Sequence, residues 1–299
     1  MAFSGFGSIR FLLFLALLVL QYFCCISSRE IVRQSPFNKV QNHQSYADHT
    51  DGHGDHLRML KMKRDVDAKD PELQIFFTIN DLKVGRRMPI YFSIKDPSRS
   101  PPLLSREEAD SIPFSSSQLP KLLKLFSFSD DSPQAKAIED TLHHCEYKPI
   151  KGESKFCATS LESLLDSTRA IFGPKVQFKV LTTNHLTNFT ASQLKNYAIL
   201  EIPKEISARR IVGCHPLPYP YAVFYCHSQE SDNKLFKVSL MGDDGGRVEA
   251  IAMCHMDTSQ WNPDHVAFLV LKTEPGKSSV CHFFPADNLV WIPSPSLSN

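Results

Sequence analysis

The sequence predicts an α+β fold, with helices mainly in the first half and an antiparallel, β-rich second half stabilised by disulfides. Three observations carry this expectation. Capped, amphipathic segments cluster between residues 105 and 173, and strand-like runs fill most of the chain from residue 176 to residue 293. Six cysteines, an even number, remain once an N-terminal leader is removed.

The leader comes first. Arg10 precedes the apolar run "FLLFLALLVL" and then "QYFCCISS", whose small residues offer a cleavage point near Ser27 or Ser28. A basic residue, a short apolar core and a small-residue exit predict a secretory signal peptide over 1–28. The apolar stretch, counted to Ile26, is 16 residues long and contains Gln21. That is short of the roughly 20 needed to span a bilayer. No second hydrophobic span follows, so the mature chain is expected to be soluble in the secretory pathway, without a membrane partner. Asn188-Phe189-Thr190 is the one N-glycosylation sequon.

Cleavage removes Cys24 and Cys25 and leaves Cys145, Cys157, Cys214, Cys226, Cys254 and Cys281. In an oxidising compartment an even set favours disulfides. Cys145 and Cys157 flank the turn-rich "EYKPIKGESKF" just before a capped helix, which predicts a local disulfide. The other four are then expected to pair among themselves, in a connectivity left open.

Residues 29–74 are polar and lack periodicity, and they carry His43, His49, His53 and His56. The segment reads as a short, variable, disordered leader, with a weak metal-gathering arm as the alternative. Order is expected from residue 75. In "ELQIFFTINDLKVGRRMPIYFSIKD" two β-rich runs flank a turn-like Asp81 to Arg87, as in a hairpin. Ser105 with Glu108 makes a capping box, and Leu119, Leu122, Leu123 and Phe126 share one helical face. Ser132-Pro133 opens a further helix. In "ATSLESLLDSTRAIFGP", Thr159 is the expected cap with Glu162 reaching back. Leu161, Leu164, Leu165, Thr168 and Phe172 form its buried stripe, and Gly173-Pro174 ends it.

From Val176 the runs read as strands: "VQFKVLTT", "YAILEIP", "RRIVGCH", "YAVFYCHS", "LFKVSLMGDDGGRVEAIAMCH", "HVAFLVLK", "SVCHFF" and "NLVWIP". Asp243-Asp244-Gly245-Gly246 marks a hairpin turn.

Four of the six remaining cysteines are followed directly by histidine: Cys214-His215, Cys226-His227, Cys254-His255 and Cys281-His282. Neighbours in a strand point to opposite faces. If the strands share one sheet or barrel, the cysteines meet in the core and the imidazoles gather on the opposite side. A histidine cluster on a rigid scaffold is what a metal site requires. Mixed Cys/His zinc ligation is disfavoured, because no C-x-x-C knuckle occurs and the compartment oxidises thiolates. Imidazole-only ligation suits copper or zinc, and Cu(II) binds such sites most tightly among divalent first-row ions. The competing reading is that these histidines only hydrogen-bond within or beside the core. Net charge is +1, from 33 basic and 32 acidic side chains, so no nucleic-acid partner is expected. No G-x-S-x-G, P-loop or H-E-x-x-H motif occurs.

The spacing Cys-His-x10-Cys-His-x26-Cys-His-x25-Cys-His resembles the signature of plant BURP-domain proteins. "FFTINDLKVG" is similar to that family's domain opening, "GESKFCATSLESLLD" to its central motif, and "WNPDHVAFLVLKTEPGKSSVCHF" to its closing segment. The resemblance places a BURP domain at 75–292, after the signal peptide and the variable 29–74, with 293–299 as a tail. The short, repeat-free middle is similar to the branch of unknown-seed-protein-like and microspore- or embryo-associated members.

Two functions follow from the resemblance. The first is a secretory-pathway protein of the apoplast, cell wall or storage vacuole, with a role in seed or reproductive development and a cell-wall component as a candidate partner. The second is a copper-dependent oxidative macrocyclase, crosslinking a Tyr or Trp side chain within a ribosomal peptide. There His215, His227, His255 and His282 match the signature histidines as copper ligands, and His265 in "WNPDH" is a candidate extra ligand or proton shuttle. Residues 29–74 hold no repeated peptide, no Trp and one Tyr, Tyr46, so a separate peptide substrate is required. That gap favours the first reading.

Overall fold

The computed structural model describes residues 73–92, 100–187, 193–230 and 232–294. The chain divides into two units, 1–46 and 47–299, and every described residue lies in the second. The segment 1–28 expected to be a signal peptide, His43, His49, His53, His56 and the sequon at Asn188 fall outside the described residues. Among the described residues, no helix is long and apolar enough to cross a membrane.

The helices come early, as predicted. α1 (Arg106–Asp110) starts at Ser105, whose hydroxyl accepts from Glu108 N while Glu108 reaches back. α2 (Leu119–Phe126) buries Leu122 and Leu123. α3 (Pro133–Glu146) opens on Ser132, whose side chain accepts from Ala135 N. α2 and α3 pack on Tyr219, Tyr221 and Val223 as one apolar cluster. α4 (Leu161–Phe172) ends at Gly173, φ 105°, a conformation that favours glycine. Its cap is Ser160 rather than Thr159, with Ser163 in place of Glu162 as the reciprocal partner. Leu161, expected in the buried stripe, is 45% exposed at the first helical position, while Leu164 and Thr168 are buried.

Two antiparallel sheets carry the rest. The smaller contains β3 (Glu153–Ala158), β4 (Phe178–Leu181), β8 (Val212–Leu217), β9 (Val223–Gln229) and β13 (Leu289–Pro293), in the order β3-β9-β8-β13-β4. The larger runs β1-β12-β11-β10-β6-β2, from β1 (Phe76–Phe77), β2 (Arg87–Phe92), β6 (Gln193–Ile199), β10 (Asn233–Gly242), β11 (Arg247–His255) and β12 (Val280–Phe283). Two short strands attach to its side, β5 (Asn184–His185) on β11 and β7 (Lys204–Ile206) on β10. The sheet curls, because Phe77 and Ile90 from its two ends share one core and Tyr91 N donates to Gln74 O at 3.2 Å. A second core of Met253, Phe284, Val290 and Ile292 joins residues of both sheets.

Two expectations are corrected here. The segments around Asp81–Arg87 do not form a hairpin: β1 pairs with β12 and β2 with β6. A 3-10 turn at Ile79–Asp81, boxed by Thr78 and Asp81, redirects the chain between them. "HVAFLVLK" is not a strand but α5 (Val266–Leu271). His265 caps it by accepting from Ala267 N, and Lys272 stops it in the left-handed region at φ 53°. Ala267 and Phe268 are buried against β1, whereas Leu269 is 49% exposed. A short, continuously apolar run does not distinguish strand from helix, and the caps decide it.

Candidate functional site

The cysteine partition is as expected: Cys145–Cys157, Cys214–Cys226 and Cys254–Cys281 are disulfides. The last two join direct cross-strand partners, in β8–β9 and β11–β12. The strands that carry the Cys-His pairs do not share one sheet. Each disulfide lies in its own sheet and faces its own core, Cys214 and Cys226 beside Leu164 of α4, Cys254 and Cys281 beside Phe283.

The pleat then fixes the histidines. Each follows its cysteine by one residue and therefore leaves the sheet on the opposite face. In the smaller sheet Tyr225 is paired with His215, and His227 with both Gly213 and Lys155, so these side chains share a face. In the larger sheet His282 is opposite Met253, whose side chain enters the core between the sheets. The imidazoles consequently meet where the sheets meet. Ring centroids lie 5.6 Å apart for His215–His227, 5.7 Å for His255–His282 and 6.3 Å for His215–His282. All four are buried.

Each ring turns Nδ1 toward an oxygen. His215 Nδ1 is 2.6 Å from Asn288 Oδ1, and His255 Nδ1 is 2.8 Å from Asn233 Oδ1. Both amides are oriented by a second bond: Asn288 Nδ2 donates to Asp287 Oδ1 and Asn233 Nδ2 to Gln229 O. Their oxygens are therefore the atoms offered, and Nδ1 of each histidine carries the proton. His282 Nδ1 is 3.4 Å from the Phe283 carbonyl, and His227 Nδ1 is 3.3 Å from Glu153 Oε1. Burial pushes His215 and His255 down to about 3, with the neighbouring His227 adding to the effect, and pushes His282 well below the ordinary value. Burial alone would raise Glu153, but His227, the Ile150 N–H and Lys155 together hold it below the usual carboxylate range.

A cavity of about 370 Å³ opens beside this layer. His227 and Tyr225 line it from β9, Glu153 and Lys155 from β3, and Trp261 and His265 from the turn before α5. Tyr225 is stacked on His227 with centroids 5.3 Å apart, and its hydroxyl donates to Glu153 Oε1 at 3.4 Å. Trp261 sits between His255 and His265, at 4.9 and 4.7 Å. His265 is buried beside the layer, pushed down to about 3 by burial, with Nδ1 engaged as the helix cap. His144 lies edge-on to Tyr225 at 4.2 Å.

A BURP domain family model matches residues 75–293. The chain belongs to the BURP-domain family. It is 51% identical over 233 residues to BURP domain-containing protein BNM2A of Brassica napus, covering 77% of this chain and 83% of that protein. The same identity and coverage hold for BURP domain protein USPL1 of Arabidopsis thaliana. BURP domain protein RD22 of Arabidopsis thaliana is 38% identical over 224 residues, 75% of this chain and 56% of that protein.

The donor chemistry of this BURP domain fits a late first-row metal. A metal-binding histidine usually gives its second ring N–H to an oxygen acceptor, which leaves the other nitrogen's lone pair for the ion. Asn288, Asn233 and the Phe283 carbonyl stand in those acceptor positions for His215, His255 and His282. Among the described residues, no three His, Cys, Asp or Glu side chains close on one point as placed. Ligation would therefore require the rings to turn. Sequence reasoning missed Asn233, Asn288, Glu153, Tyr225 and Trp261. Glu153 lies in the quoted central motif, but its partner is 74 residues away in the chain, and only the β3–β9 register joins them.

Proposed function

We propose that this protein is a secretory-pathway metal protein, with copper held by His215, His227, His255 and His282 and used to oxidise an aromatic side chain of a separate peptide. The observation that carries the reading is the burial of all four rings where the sheets meet, with amide oxygens behind His215 and His255 and with His227 also lining the cavity. Three disulfides support an oxidising compartment. Bound copper supplies one-electron oxidation with O2 as terminal acceptor. The chain's own residues bind and orient. Asn288 and Asn233 hold His215 and His255 in the Nδ1–H tautomer, and Glu153 Oε1 stands 3.3 Å from His227 Nδ1. Tyr225 and Trp261 wall the cavity so that an incoming ring lies against His227, and the surrounding apolar cores exclude water.

The experiment is metal analysis of the secreted protein, followed by oxygen uptake with Tyr- or Trp-containing peptides. About one copper per chain and a peptide product two hydrogens lighter are expected. Copper without turnover would favour the second reading, a non-catalytic protein of seed or reproductive development in the apoplast, cell wall or storage vacuole. The absence of a repeated peptide from 29–74 is the observation behind that alternative. No copper and no turnover would overturn the first.

A further inference from the structure

The cavity beside the histidine layer has a charge pattern of its own. Its ordinarily charged lining residues, histidines apart, are Lys148, Glu153 and Lys155. Glu153 turns both oxygens inward. Oε1 meets His227 Nδ1 and the Tyr225 hydroxyl, and Oε2 accepts from Ile150 N at 3.1 Å. Its negative charge is therefore engaged by the protein.

The lysines are different. Lys155 is the direct cross-strand partner of His227, so its side chain rises on the same face. Its Nζ donates to the His144 carbonyl at 3.0 Å and stands 5.4 Å from the Tyr225 ring and 6.0 Å from the Tyr147 ring. An ammonium has three donors. One is directed to a carbonyl and the nearest faces are aromatic, so a ligand carboxylate would complete the set. Lys148 adds an exposed cation at the rim. The remaining walls include the flat rings of Tyr147, Tyr225 and Trp261 and neutral amides at Gln229, Gln260 and Asn262.

We propose that this cavity binds an aromatic residue with a carboxylate beside it, the ring between Tyr225 and Trp261 and the carboxylate on Lys155 and Lys148. Two peptide chemistries present that group: a C-terminal Tyr or Trp, and an internal Tyr or Trp next to Asp or Glu. A volume of about 370 Å³ admits one such residue and part of its neighbour. The proposal rests on the reading above for the cavity's role as a substrate site, but ligand binding itself needs no metal.

The test uses the full secreted chain, stripped of metal, and calorimetric titration with three probes. They are N-acetyltryptophan, N-acetyltryptophan amide, and N-acetyl-Asp-Trp amide. At least one carboxylate probe is expected to bind about tenfold more tightly than the neutral amide at low salt, as a partly desolvated charge-assisted bond allows. The preference should shrink as salt rises. The tighter of the two carboxylates identifies the source. Lys155→Met should abolish the preference and Lys148→Gln should reduce it. Because Lys155 also bonds within the fold, Lys148→Gln at the exposed rim keeps the test decisive if the other variant unfolds. Equal binding of acid and amide, no binding of any probe, or an undiminished preference in Lys148→Gln would overturn the proposal. Copper titration of the same stripped protein separates the two readings. Copper binding without carboxylate preference sinks only this inference, and carboxylate preference without copper sinks only the metal function.

Discussion

His255 and Asn233 are direct cross-strand partners of β11 and β10, and their side chains meet at 2.8 Å, imidazole Nδ1 to amide Oδ1. The pleat puts both on one face, and the bond from Asn233 Nδ2 to Gln229 O sets which end of the amide the ring sees. His215 repeats the arrangement over a longer reach, through Asn288 just before β13.

Asn233→Ala and Asn288→Ala should therefore weaken metal binding by roughly 10- to 100-fold each, the usual cost of losing an outer acceptor. Each should also destabilise the metal-free fold by about 1–3 kcal/mol, since a buried ring N–H is left without its acceptor. Metal titration and denaturant melts of both variants check this. Unchanged affinity in both would mean that the amides merely fill space.

The cysteines and histidines should separate in their effects. Cys226→Ser removes a cross-strand disulfide and should cost about 2–5 kcal/mol, with reduced secretion. His227→Ala leaves that disulfide in place and should mainly lower copper content. Adding His255→Ala should cost less copper than it does alone, because both serve one site. Copper analysis and thermal melting of the three single variants and the double variant are the measurements. Melting of His227→Ala as low as that of Cys226→Ser, with no copper in the parent, would make the histidines core residues.

Stability of the metal-free protein should fall with pH through the imidazole range. Burial holds His144 at about 4 and His215, His255 and His265 at about 3, against an ordinary value near 6.5. Above about pH 6.5 these groups are neutral in both folded and unfolded chains. As pH drops below that point the unfolded chain takes up protons that the folded chain refuses, so stability is lost until the folded pKa is passed. His144 alone should account for about 3 kcal/mol across that window. Denaturant unfolding at pH 7.0, 5.5 and 4.5 reads the slope, and a flat profile would contradict neutral burial. His144→Phe, which keeps an aromatic edge against Tyr225, should flatten part of it.

Much of this was legible in the chain. The helix starts at Ser105 and Ser132, the leucine stripe of α2, the Asp243–Gly246 turn and the alternation around the Cys-His pairs are local signals, and local signals survive folding. What the sequence hid was non-local. β1 and β2 are adjacent in the chain yet find partners more than 100 residues away in β12 and β6. The division into two sheets, which sends the disulfides to separate cores and the histidines between them, has no local mark. The acceptors behind the histidines are hidden for the same reason, since ordinary Asn and Glu residues acquire a role only through register.

His265 is the place where a local cap and a distant site compete for one side chain. Its Nδ1 accepts from Ala267 N at the start of α5, and its ring packs against Trp261 at the cavity wall. If capping is its role, asparagine should replace it, because Asn is among the best N-cap residues. His265→Asn should then hold stability within about 0.5 kcal/mol of the parent, whereas His265→Ala should lose about 1 kcal/mol, the usual cost of a missing cap. Copper content should be unchanged in both, since with Nδ1 accepting, Nε2 carries the proton and has no lone pair to offer a metal. The measurements are helical melting and copper stoichiometry of the two variants. Loss of copper in His265→Asn at parental stability would instead make His265 a ligand, and its cap bond would have to break when the metal enters.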